Sequence, residues 1–194
     1  WFWHESQNDQ VRSPENLAKI YFESVGRGAS FLLNVPPDRR GRIHEQDVRS
    51  LREFRRILDA TFAENFAAGA TVSASSTRGD SFRYQAANLT DGNPETHWTT
   101  DVAVTTADLV FTMSEEVTFD VVSFEEEIAY GQRIGGWAVD VADGDRWREI
   151  AHGESVGHKR LWRGEEQTTN RVRLRITESS ASPVLRSFAL YRQR

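Results

Sequence analysis

The sequence contains no cysteine, which excludes disulfides, thiol nucleophiles and cysteine-held metals together. It contains no apolar run near the roughly 18 residues that a membrane-spanning helix needs, so no transmembrane helix and no membrane partner is expected. There is no excess of positive charge. Lys and Arg total 24 against 29 Asp and Glu, a formal net charge of −5, which argues against a nucleic-acid partner held by phosphate neutralisation. Phosphate loops, zinc-ligand spacings and a Ser-His-Asp constellation are missing too, as are internal repeats and low-complexity tracts. The opening WFWHESQ is neither an initiator nor a signal peptide. It predicts a chain that begins inside a longer protein.

What is present is the composition of a folded globular chain, 38% apolar and 27% charged, long enough for one or two domains. Six Trp and eleven Phe suit both a core and a sugar-stacking surface. Two halves of different period divide the sequence. In residues 1–65, Ser13 followed by Pro14 and Glu15 is a helix start: capping hydroxyl, proline, then acid. Leu17, Ile20, Tyr21, Ser24 and Val25 then share one helical face, and Gly26 or Gly28 ends it. Phe31 to Val35 is apolar on both faces and stops at Pro36-Pro37, the pattern of a buried parallel strand. A polar turn, DRRGR, precedes a second amphipathic helix from His44 to about Phe62, with Val48, Leu51, Phe54, Ile57, Leu58 and Phe62 inward. Helix–strand–helix of this kind is a unit of a (β/α)8-like barrel. Its lone strand needs an upstream chain or a packing surface on the second half.

From Ala67 the period changes to two. ATVSASS, DLVFTM, FDVVSFEEEI, GWAVDVAD, RWREIAHG, RVRLRI and SFALYR alternate and are separated by turn signals, predicting an antiparallel β-sandwich of jelly-roll type over residues 66–194. The whole is α+β, with Asn65 to Gly69 as linker.

Two resemblances cover nearly the entire chain. WFWH followed by SVGRGASFLLNVPPDRRGRIH resembles the last strand–helix portion of the catalytic barrel in glycoside hydrolase family 29, the α-L-fucosidases, and is more similar to the α-1,3/1,4-linkage branch. ATVSASS, NLTDGNPETHW, GQRIGGWAVDV and RVRLRITES resemble the discoidin, or coagulation-factor type C, galactose-binding-like sandwich. The resemblance implies a retaining hydrolase acting on a fucosylated, Lewis-type oligosaccharide, bacterial and secreted or periplasmic. Its nucleophilic Asp and acid/base Glu lie upstream, and that upstream barrel portion is the partner of this chain. No W-F-D-G segment of the kind that carries the nucleophile occurs, so no catalytic residue is expected here and the chain alone is expected to be inactive. The alternative is a non-catalytic carbohydrate-binding or structural module.

Candidate sites follow. Trp1, Trp3 and His4 fall where a barrel strand would end, the rim on which barrel active sites are built, and are the expected substrate contacts. Glu5 and Asp9 are the acids nearest that rim. No cofactor is required, but the resemblance implies that the loop NLTDGNPETHW wraps a structural Ca²⁺, with oxygens from Asp91, Asn93, Thr96 and from Asn88 or Leu89. The family's completing Glu is replaced by Ser187, and the plain alternative is a hydrogen-bonded turn capped by Asp91. Arg133, His158, Lys159 and Arg160 with Trp137, Trp147 and Trp162 make either a sugar site or a dispersed set of core and surface residues. Glu125-Glu126-Glu127 is expected at a solvated strand edge.

Overall fold

A computed structural model describes residues 2–193. Helix α1, Pro14–Ser24, begins as its sequence requires: the Ser13 hydroxyl accepts the Asn16 N–H at 3.2 Å. It tightens into a 3-10 turn, Val25–Arg27, and closes on Gly28 at φ 80°, a left-handed conformation that costs glycine nothing. Helix α2, Glu45–Thr61, is capped by His44, whose Nδ1 accepts the Gln46 N–H at 3.2 Å. Tyr21 packs edge-on against Phe54 and lies against Phe62, so the two helices form one aromatic-lined layer. The turn between them is held by Asp38, which is buried and accepts the Arg40 N–H at 2.8 Å and its guanidinium. Arg40 also bonds Glu45, the solvated, salt-bridged turn that the sequence suggests.

The segment from Phe31 to Val35 departs from expectation. It forms no strand and no parallel barrel pairing: the chain is irregular there, and Leu32 is 94% exposed. A strand exists through its ladder, since extended N–H and C=O groups need partners. No described strand lies beside this one. Among the described residues Phe31 lies against Phe54 at 6.2 Å.

The second half is the antiparallel sandwich that the alternation predicts. Seven strands are found among the described residues: β1 (Thr71–Ala74), β2 (Trp98–Thr99), β3 (Ala107–Glu126), β4 (Ile134–Asp143), β5 (Arg146–Glu154), β6 (Arg160–Ser179) and β7 (Val184–Tyr191). They run in the order β2-β7-β3-β6-β4-β5, with β1 on β3. The two 20-residue strands β3 and β6 pair with each other across register shifts between Thr112 and Val117 and between Phe119 and Val121. Such shifts bend a strand, so each serves both layers. The first part of β3 lies beside β1 and the last part beside β7. Between the layers lie Trp98, Phe119, Phe124, Leu174 and Ile176, fully buried, with Phe111 stacked on Phe188 at 3.7 Å.

The helical layer docks on the outside of this sandwich. Phe22 joins Val121 and Leu161 in a separate apolar cluster, flanked by Tyr21, Phe62 and Tyr191. Gly26 lies so close to Leu161 that an added Cβ would sit 2.9 Å from the leucine Cβ. The linker is laced to β7: Asn65 Oδ1 accepts the N–H groups of Ala67 and Leu190, and Phe66 N–H donates to the Leu190 carbonyl. The sandwich therefore supplies the packing surface that the helices need.

Phe22→Ala should remove about 3 kcal/mol of stability, the usual cost of truncating a buried phenylalanine. Amide exchange should accelerate across 14–24 and 45–61 while Val172 to Ile176 stay slow. Equal acceleration in both regions would show that the two layers open as one unit.

Candidate functional site

Of the three expected substrate contacts, Trp1 lies outside the described residues. Trp3 and His4 are brought together with Phe2, Pro36 and Asp47 around a cleft of about 230 Å³. Trp3 is half-buried, its indole N–H bonded to Asn8 Oδ1 at 3.0 Å and its ring 6.3 Å from His44. His4 is exposed, as are Glu5 and Asp9 on the adjoining 3-10 segment Glu5–Gln10. A retaining glycosidase needs two carboxyl groups about 5 Å apart across the scissile bond.

The loop at Asp91 folds on itself. Asp91 Oδ1 accepts the Asn93 N–H at 2.8 Å, and Oδ2 accepts the Thr96 hydroxyl at 2.9 Å. That hydroxyl lies equally close to the Asn93 carbonyl, and Asn93 Oδ1 accepts the Glu95 N–H. Buried Asn88 ties the loop down, donating to the carbonyls of Arg83 and His97. The loop borders a cavity of about 520 Å³ shared with Glu125, Lys159, Arg186 and Ser187. A hard cation takes six to eight oxygens. Here Asp91 has both carboxylate oxygens in hydrogen bonds, and the loop's other carboxylate, Glu95, is exposed. Across the cavity, Glu125 is bound by Lys159 at 2.8 Å and by Arg186. Among the described residues no group of three His, Cys, Asp or Glu could hold a metal. The residues fit a self-satisfied turn better than a calcium cage.

The acidic triplet is not the solvated edge that its sequence suggests. Burial alone would raise the Glu125 pKa, but its bonds to Arg186 and Lys159 outweigh that and lower it. Glu126 is 1% exposed. Its Oε1 accepts the N–H groups of Arg133 and Ile134 at 2.7 and 2.9 Å, and Oε2 that of Gly157 at 2.7 Å. A buried carboxylate needs such donors, and only the fold shows that they converge.

The basic and aromatic set divides: Arg160, Trp137 and Trp162 line one cleft, and the others lie elsewhere. Trp137 is core, its ring edge-on to Phe124 and its N–H on the Ser155 carbonyl. Trp147 instead lies on the sandwich exterior under Arg171 and Arg173, at 5.2 and 4.8 Å. Arg133 donates to the carbonyls of Tyr130 and Ser182, and His158 is exposed.

One grouping has no periodic signal in the sequence. His97 lies between Tyr84 and Tyr130, with ring centroids 5.4 and 5.3 Å away. Arg83 and Arg78 lie over Tyr84, and Arg133 over Tyr130. Burial lowers the His97 pKa, opposed by Glu127 and aided by Arg83 and Arg78, so its imidazole is neutral at pH 7. A neutral imidazole both donates and accepts. Phe82, 86% exposed, extends the loop that carries Tyr84.

Comparison with known proteins agrees with this architecture. The profile described as F5/8 type C domain matches residues 71–188. Alpha-L-fucosidase 1 of Arabidopsis thaliana is 32% identical over 195 residues, spanning 98% of this chain but 38% of the relative. The crystal structure of SpGH29 superposes with a TM-score of 0.93 at 36% identity, covering all of this chain and 42% of that one. A GH29 fucosidase of Ruminococcus gnavus, solved in complex with fucose, superposes with a TM-score of 0.93 at 33% identity, covering 100% and 39%. The chain thus spans well under half the length of the relatives it matches.

Two outcomes follow from the carboxylates. Glu126→Gln replaces one acceptor oxygen by an amide facing N–H donors, and should cost about 3 kcal/mol in urea unfolding. A loss no greater than that of exposed Glu115→Gln would contradict the role given to Glu126. Asp91→Ala should lower the melting temperature equally in calcium and in chelator. A loss confined to calcium would instead reveal a ligand bound to the folded state.

Proposed function

The chain belongs to the F5/8 type C domain family, and we propose that it forms the C-terminal part of a retaining α-L-fucosidase. The substrate class is a fucosylated glycan, with α-1,3/1,4-linked fucose of Lewis type as the preferred linkage and a bacterial, secreted or periplasmic setting. The observation that carries this reading is the end-to-end correspondence with fucosidases, 98% of this chain against 38% of the plant enzyme. It takes in the helical layer as well as the sandwich. That layer is the part for which a free-standing binding module has no use. Its α2 residues Val48, Leu51, Phe54, Ile57 and Leu58 are only half-buried, and Leu32 is exposed beside them. An upstream barrel would cover these groups and give Phe31 to Val35 its missing ladder. The catalytic Asp and Glu then belong to that barrel, with Trp3 and His4 at the edge of its active site.

One observation favours a second role for the same chain. The Tyr84–His97–Tyr130 grouping offers aromatic faces and a neutral imidazole at the loop end of the sandwich, the materials of a sugar contact. In that role the sandwich holds a glycan while the barrel cleaves it.

The purified 194-residue chain should release no fucose from an aryl fucoside or a Lewis trisaccharide. A longer product that begins upstream of Trp1 should release it from the trisaccharide. Turnover by the short chain that is abolished by Glu5→Gln or Asp9→Asn would overturn the proposal, as would a folded longer product without activity.

A further inference from the structure

The seam between α1 and the sandwich opens into a cleft of about 590 Å³, within the range of roughly 300–1,000 Å³ typical of small-molecule sites. Three arginines reach it from two elements. Arg27 comes from the turn that ends α1, and Arg160 and Arg163 come from the start of β6. None of the three has a carboxylate partner among the described residues. Arg160 donates to the carbonyls of Ser155 and Glu154, at 3.1 and 2.9 Å. Arg163 donates to Gln193 Oε1 at 2.9 Å and lies 4.7 Å over the Phe22 ring.

Two carboxylates, Glu23 and Glu154, also line the cleft, and neither is paired with its arginines. Glu23 is engaged by Lys19 at 3.8 Å, Glu154 is exposed, and His152 is bonded to Glu149 at 2.9 Å. In a chain with five more acids than bases, several of the sandwich arginines are held by carboxylates. Arg173 and Arg175 share Asp140, Arg186 takes Glu125 and Arg192 takes Glu166. Burial, and after it the charge of Arg27, lowers the Arg160 pKa; its carbonyl bonds and the Trp137 ring 5.8 Å away offset part of this but bring no opposite charge. Arginine does not shed its proton to escape this. An anion would supply the missing charge. The guanidinium fork matches a planar carboxylate or a sulfate bidentately, and the half-buried indole of Trp162 stands on the same wall.

We propose that this seam is a binding site for an anionic sugar, its carboxylate or sulfate ester held by Arg27, Arg160 and Arg163 and its ring beside Trp162. The site is separate from the Tyr84–His97–Tyr130 grouping. It rests on the glycan-directed reading for the sugar ring alone; the anion contact stands without it.

The test is calorimetric titration of the 194-residue chain with glucuronic acid, N-acetylneuraminic acid, galactose 6-sulfate, neutral galactose, fucose and sodium sulfate. At least one anionic sugar should bind and the neutral sugars should not compete for it. The first three ligands separate the carboxylate from the sulfate source. Arg27→Ala, an exposed change that touches no internal partner, should weaken binding about tenfold without lowering the melting temperature, and added salt should weaken it further. Tyr130→Ala should leave it unchanged, which keeps this site distinct from the loop-end reading. No anionic-sugar binding at millimolar concentration, or binding indifferent to both Arg27→Ala and Arg163→Gln, would overturn the proposal. Inorganic sulfate binding as tightly as galactose 6-sulfate would overturn its sugar component. Fucose release plays no part in the readout, so a failure of the fucosidase reading gives a different result.

Discussion

The carboxylate of Glu126 is the point on which the functional end of this molecule depends. It sits at the end of β3 and takes three backbone N–H groups, from Arg133 and Ile134 at the start of β4 and from Gly157 in the loop before β6. A buried charge costs several kcal/mol in lost hydration, and bonds from N–H groups to a charged acceptor return a substantial part of it. Satisfying the charge requires three segments distant in sequence to meet. One of them carries Tyr130 and Arg133 toward the loop-end aromatic grouping. Another carries Ser155, whose carbonyl receives Trp137 and Arg160, and leads to His158 and Lys159, against whose backbone Gly28 closes α1. Both the loop-end grouping and the arginine seam are thus referenced to a single buried group.

The helical layer obeys a different constraint. One side of it is complete, because Phe22 and Phe62 have Val121, Leu161 and Tyr191 to pack on. The other side is not. A 17-residue helix with five half-buried apolar residues, next to an irregular apolar segment, is a structure with a surface still to cover. Burial yields about 25 cal/mol per Å² of apolar surface removed from water, so a barrel seated there would gain from each of those residues. The same seating would give Phe31 to Val35 its hydrogen-bond ladder. The sandwich alone accounts for the docked face, and the relatives' greater length supplies the candidate for the other.

Local physics was legible in the sequence, and convergence through space was not. The Ser13 cap, the glycine that ends α1, the His44 start of α2 and the alternation of β3, β4 and β6 are properties of neighbouring residues, and they appear where the spacing places them. The strand expected at Phe31 to Val35 did not form, because periodicity states a segment's preference and not whether a neighbour is present to pair with it. Glu126 read as part of a solvated triplet, since nothing within a few residues reveals that N–H groups 7, 8 and 31 positions away aim at it. Tyr84, His97 and Tyr130 likewise come from three loops with no common spacing. Trp137 and Trp147 are both strand tryptophans, yet one is core and the other lies under two arginines. The side of a strand on which an indole falls decides its role.

The two charged corners of the sandwich show how that principle bears on ligands. The resemblance implies a carboxylate just before the last apolar pair, where it would complete a calcium shell with the Asp91 loop. This chain has Arg186-Ser187 there instead, and Arg186 with Lys159 neutralises Glu125 across the cavity. A cation entering that corner would meet two fixed positive charges, and Asp91 and Glu125 are already engaged. The loop is held by Asp91, Thr96 and Asn88 through hydrogen bonds. At the seam the arrangement is reversed: three guanidinium groups line one cleft, Arg160 bonded to carbonyls and Arg163 to an amide, with no carboxylate on any of them. Electrostatic attraction for a ligand survives only where the fold leaves a charge unmatched. On that ground the attraction in this domain is for anions, and it lies at the junction with α1 instead of at the loop that carries the familiar motif.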